Sequence, residues 1–151
     1  MSRVLVLCAA LAAGPAQAQV AAPCDWQAAA QAIVEPWEDN TRTFANGEVR
    51  VAHLDTIEPA LGAAWLLVLS PPRGELGARQ CRLIGLSETM GFPGMDFASL
   101  AAGYDPSTGL VLTLDVTLVS DDGATFTPRR MAVTVNQATG AIVPRLAETS
   151  P

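Results

Sequence analysis

Lysine is missing from this chain, and histidine occurs only once, as His53. All nine basic side chains are arginines, which together with the alanine richness fits GC-rich coding, and no functional conclusion is drawn from it. One imidazole cannot build the usual zinc sites, which draw on several histidines and thiolates. Positive charge is scarce as well: fifteen acids face nine bases, for a formal net charge of −6. That balance excludes the clustered basic surface needed to hold nucleic acid or anionic lipid. The longest purely apolar stretch near the start, Val4 to Ala13, is too short for a resident membrane helix, so no integral membrane segment is expected in the mature chain. No serine sits in a strained Gly-x-Ser-x-Gly elbow, and no cofactor-binding motif is present.

What is present begins with an export signal. Arg3, the run Val4 to Ala13, the Gly14-Pro15 break and Ala16-Gln17-Ala18 have the layout of a bacterial secretory signal peptide cleaved after Ala18. Cleavage removes Arg3 and Cys8 and places the protein in the periplasm or outside the cell. Cys24 and Cys81 are then the remaining thiols, and an oxidising compartment favours one disulfide between them. A loop of that length contributes about 4 kcal/mol in the chain-entropy model. Acylation of Cys24 as a lipoprotein is the alternative. Pro23 directly before the cysteine and the early end of the apolar run fit that signal badly. The expected organisation is a signal peptide over 1–18, a flexible leader over 19–23, one β-rich domain over 24–147 and a disordered tail over 148–151.

Asp25 to Glu35 are helix formers, with Asp25 placed to cap and Trp26, Ala30, Ile33 and Trp37 at helical spacing. Pro36 ends that helix, and the tryptophan stripe is expected to pack on a sheet. From Thr41 the period shortens to two. Asn46-Gly47 predicts a two-residue hairpin turn that pairs Ala45 with Glu48, Phe44 with Val49, Thr43 with Arg50, Arg42 with Val51 and Asn40 with His53. Apolar runs follow at Ala63 to Ser70, Arg79 to Ser87, Phe97 to Tyr104, Leu110 to Val119, Thr125 to Val135 and Ala141 to Arg145. Leu110, Leu112, Leu114, Val116 and Leu118 alternate with a more polar set, the mark of a strand with one buried face. Trp65 to Leu69 is apolar on both faces and is expected to be central or covered by the helix. Pro128 predicts an edge or a bulge. The sum is a mainly β fold: an antiparallel sandwich or partly closed barrel of about eight strands with one short N-terminal α-helix.

Chemistry-bearing residues are few. In the hairpin register His53 shares a face with Val49 and Val51, Arg42 is diagonal to it, and Asp55 lies two residues on, so these three are weak catalytic candidates. A nucleophile is not evident, and a strand-end histidine satisfied by a neighbouring carboxylate or carbonyl is the plainer account. No metal site is expected: Asp121-Asp122-Gly123 is too short for a calcium loop and is better read as a hairpin turn. Glu35, Glu38 and Asp39 beside Trp37 read as a solvated acidic end. Arg79, Arg82, Arg129 and Arg130 offer an anionic docking patch, although scattered surface arginines usually form ion pairs of little energy. The segment Met90 to Phe97 is unusual, because two methionines and two phenylalanines sit on a Gly and Pro framework. Exposed, Met90, Phe92, Met95 and Phe97 form a recognition loop; folded inward, they plug the core. The primary functional expectation is a non-catalytic exported protein that recognises a protein or envelope partner through this loop. A carrier of a small apolar ligand and a hydrolase centred on His53 are the alternatives.

Overall fold

The computed structural model describes residues 19–147, so the signal peptide expected over 1–18 and the tail expected over 148–151 lie outside the described residues. Alternating side chains sort these residues into nine strands: β1 (Val20–Pro23), β2 (Thr41–Phe44), β3 (Val49–Asp55), β4 (Ala64–Arg73), β5 (Arg79–Gly85), β6 (Gly94–Asp105), β7 (Gly109–Val119), β8 (Phe126–Val135) and β9 (Ile142–Leu146). They form two antiparallel sheets, ordered β1-β5-β4-β3-β2 and β6-β7-β8-β9, with no closed barrel. In β7 Leu110, Leu112, Leu114 and Val116 are buried while the residues between them are only half-buried. These side chains meet Val49, Val51, Leu66, Val68 and Ile84 of the first sheet in one core cluster, which makes the fold a sandwich. The hairpin register is as the Asn-Gly turn predicts, with Phe44 opposite Val49 and Arg42 opposite Val51. Pro128 lies on β8 beyond the reach of β9, which pairs only with Met131 to Val135, so its missing N–H leaves no ladder bond unmade.

Three expectations are corrected. The flexible leader is not one: residues 20–23 form β1, with Val20 opposite Gly85 and Pro23 opposite Arg82. This ninth strand escapes the alternation pattern because it is a short Val-Ala-Ala-Pro run. The N-terminal α-helix is absent; Trp26–Ala28 and Ala30–Ala32 are separate 3₁₀ turns with extended Ala29 between them. The reason lies at the two ends of the segment. Cys24 is joined to Cys81 by a disulfide whose Cα atoms are 5.4 Å apart across 57 residues, and its N–H donates to the Cys81 carbonyl at 3.2 Å. Ile33 bridges Leu54, and the Val34 N–H donates to the His53 carbonyl at 3.0 Å. Both anchors require extended backbone, and the few residues between them are too short a stretch for a stable α-helix. The third correction concerns the tryptophan stripe, since Trp26 is 64% exposed and Trp37 is 50% exposed.

Small residues do the covering instead. Ala28, Ala32 and Ile33 lie over Leu54, Trp65, Leu67 and Leu83 and form a second apolar cluster on the outer face of the first sheet. β4 is therefore apolar on both faces because both are covered, and Trp65 is 1% exposed. Burial of a large apolar side chain is worth about 1.5–3 kcal/mol.

Candidate functional site

His53 sits near the end of β3, where its backbone is held on both sides. It pairs with Leu66 of β4, and its N–H donates to the Asn40 carbonyl at 2.9 Å. The ring stacks on Phe97 of β6, with centroids 6.2 Å apart and planes 16° from parallel. Burial pushes the imidazole pKa down, and the carboxylate of Asp55 pulls it partly back up. Asp55, two residues on, shares the face of His53 as alternation requires, and accepts the Ile57 N–H at 2.7 Å. The imidazole itself makes no hydrogen bond to another described residue.

Beside this ring runs a groove of about 380 Å³ lined by His53, Asp55, Ile57, Ala63, Pro93 and Met95, among others. Ile57 stands at its rim with φ +68, a left-handed conformation that a β-branched residue rarely adopts, and is 77% exposed. Two loops build the adjoining surface. The Gly91 N–H donates to the Gly62 carbonyl at 2.8 Å, and Phe92 and Ala64 exchange backbone bonds at 2.7 and 3.0 Å. Gly91 allows this approach, since a Cβ there would collide with the carbonyls of Ala64 and Gly62. Met90 lies against Gly62, and Leu61, Met90 and Ile57 are all exposed.

The predicted apolar loop is thus divided. Phe92 is fully buried and Phe97 is 4% exposed, so both are core residues and not recognition residues. Their inward packing follows from the bridge to β4, which turns the chain over the end of the sandwich. Met95 is half-buried, packs against the core and lines the groove, while Met90 is exposed. Of the three catalytic candidates, His53 and Asp55 share the groove. Arg42 does not line it. Its guanidinium donates to the carbonyls of Glu38, Asp39 and Thr41 at 2.8, 3.1 and 2.8 Å, and lies 5.7 Å from the Phe97 centroid. The proposed arginine patch is likewise engaged: Arg130 pairs with Asp115 at 2.8 Å, Arg129 donates to the Ala147 carbonyl at 2.7 Å, and Arg79 donates to the Gly47 carbonyl at 2.8 Å.

Ile57 and Leu61 were invisible to sequence reasoning, because Thr56-Ile57-Glu58-Pro59 contains no chemistry-bearing motif and a positive φ leaves no trace in composition. A depression of about 580 Å³ at Glu35, Pro36, Trp37 and Glu38 is larger, but a single exposed turn forms it and no ionisable ring or strained residue faces it. Among the described residues, no group of three or more His, Cys, Asp or Glu side chains is placed to hold a metal, and no helix is long and apolar enough to cross a membrane. No family model, curated protein or solved structure matches this chain.

Proposed function

We propose that this is an exported, non-catalytic binding domain that recognises a protein partner through the surface formed by Ile57, Leu61 and Met90 and the groove beside His53. One observation carries the reading: an isoleucine 77% exposed and held at φ +68 beside a half-buried, unbonded imidazole. Residues kept in a strained conformation and offered to solvent cluster at ligand clamps and recognition sites. Three exposed apolar side chains on two adjoining loops form the kind of patch that partners cover. The groove-lining set contains an imidazole and a carboxylate but no hydroxyl or thiol, which favours holding a ligand over cleaving one. Carriage of an apolar ligand inside the sandwich is less well supported, because Leu112, Leu114, Met131, Val133, Phe92 and Val51 fill the space between the sheets. The Cys24–Cys81 disulfide is compatible with an oxidising compartment.

The test is a photocrosslinker placed at position 57 or at Leu76, a fully exposed residue between β4 and β5, in the protein expressed in its native host. A discrete protein adduct from position 57, absent from position 76 and lost with Met90→Asp, is the expected result. With the purified partner, Ile57→Asp should weaken binding by about tenfold or more, the scale of a central apolar anchor. Equal crosslinking from both positions, or affinity unchanged by both substitutions, would overturn the reading.

A further inference from the structure

Where β1 runs into the first 3₁₀ turn, a second groove of about 610 Å³ opens between Ala22 to Gln27 and the turn at Glu88 and Thr89. Its volume falls in the range of about 300–1,000 Å³ typical of small-ligand sites. Apart from the donor-only indole of Trp26, the polar side chains that line it, Asp25, Gln27, Glu88 and Thr89, can all accept a hydrogen bond, and none is basic. The indole of Trp26 is 64% exposed, although tryptophan is rarely left so open. Its position is defined: the Asp25 carboxylate accepts the Trp26 N–H at 2.8 Å, and Cys24 ties the same turn to β5. Glu88 is exposed, and neither ion pair found among the described residues involves it or Asp25. Gln27 gives the independent sign of a ligand. It lines the groove, is only 6% exposed, and its Oε1 has no hydrogen-bond partner. A buried carbonyl left without a donor is destabilising, and few such groups survive in a folded protein without a reason.

An aromatic face, two uncompensated carboxylates and an unanswered carbonyl define one complement. We infer that this groove binds an organic cation carrying N–H donors, an ammonium or a guanidinium group. The indole supplies the cation–π face, for which tryptophan is the best aromatic. Glu88 and Asp25 supply the countercharge, and Gln27 accepts one N–H of the bound group. The cation is either a free polyamine or the side chain of a lysine or arginine on another protein, and the chemistry recognised is the same.

The experiment follows the Trp26 indole N–H by two-dimensional NMR during titration with spermidine, with an acetylated and amidated Gly-Arg-Gly peptide, and with tetramethylammonium. A saturable shift with spermidine or the peptide is expected, and the tighter of the two identifies the source. Tetramethylammonium has no N–H and should bind about tenfold more weakly or worse. Glu88→Gln, on an exposed turn where folding is not at risk, should weaken binding by a similar factor. Gln27→Leu should raise Tm by removing the unpartnered carbonyl and at the same time weaken spermidine, where a purely structural glutamine would change Tm alone. No saturable shift with any probe, or a shift unaffected by Glu88→Gln, overturns the site. Equal binding of tetramethylammonium overturns the donor contact to Gln27.

Discussion

Ile57 holds a backbone conformation that its branched side chain disfavours, by about 1–3 kcal/mol for such residues. Because the side chain is 77% exposed, little packing offsets that strain. Ile57→Gly should therefore stabilise the protein by about 1 kcal/mol, after the extra chain entropy of glycine is counted. Chemical denaturation checks the sign, and the same variant should bind the partner less well, separating stability from function. His53 supplies a pH dependence. Its folded pKa lies below the ordinary value of 6.5, so below that pH the unfolded chain takes up the proton more readily than the folded one. Stability from this group is full above the unfolded pKa, declines as pH falls through it, and levels off once the folded pKa is passed. His53→Gln should flatten the fall in urea midpoint between about pH 7.5 and 5.5, whereas a parallel fall in both proteins would show that other groups govern it.

At the scale of the element, the segment from Cys24 to Val34 acts as a thin cover for the outer face of the first sheet. It has little internal structure beyond its two 3₁₀ turns, and its hold depends on the disulfide at one end and the bridge at Ile33 on the other. Replacing both Cys24 and Cys81 with serine should destabilise the protein by about 2–5 kcal/mol, the usual loss when a small domain is deprived of its native disulfide. Hydrogen exchange gives the sharper readout. The Val34 amide, which bonds the His53 carbonyl, should lose protection in that variant, while amides of β7 exchange only by global unfolding. The meander of β6 to β9 relies on local turns. Gly109, at φ +102, closes one against Val135, where any Cβ would strike the carbonyl of that residue.

Across the whole molecule, the two sheets are joined mainly by apolar burial and by a few polar ties. Gln80 of β5 is the clearest: its Nε2 donates to Ser70 Oγ at 3.1 Å, to the Pro71 carbonyl at 2.9 Å and, across to the second sheet, to the Gly140 carbonyl at 2.9 Å. Ser70 is fully buried and its hydroxyl donates to the Pro71 carbonyl at 3.1 Å, so loss of Gln80 removes the donor shared by this pair and by the Gly140 carbonyl. Gln80→Ala should lower stability by about 1–3 kcal/mol, measured by urea unfolding, without moving the NMR signals of the Ile57 surface. At the sandwich edge a second tie links the ends of the described chain, as Leu146 donates its N–H to the Gln19 Oε1 at 3.1 Å.

Period-two alternation from Thr41 onward and the turn chemistry of Asn46-Gly47 and Asp122-Gly123 were sufficient to locate eight strands and the register of the first hairpin. These signals are local: each strand declares its buried face within a few residues, and each turn needs its own positive φ. The disulfide was legible because, with Cys8 assigned to the expected signal peptide, Cys24 and Cys81 leave a single possible pairing. Packing at a distance was not legible. Helix-forming residues at 25–35 are overruled by anchors that belong to β3 and β5, and Val20–Pro23 becomes a strand only because β5 offers it an open edge. Likewise Phe92 and Met90 have similar neighbours in sequence, yet a bridge to Ala64 buries one and leaves the other in solvent. Which apolar side chains cover the core and which remain for a partner is set by contacts between residues far apart in the chain, and only the folded molecule brings those residues together.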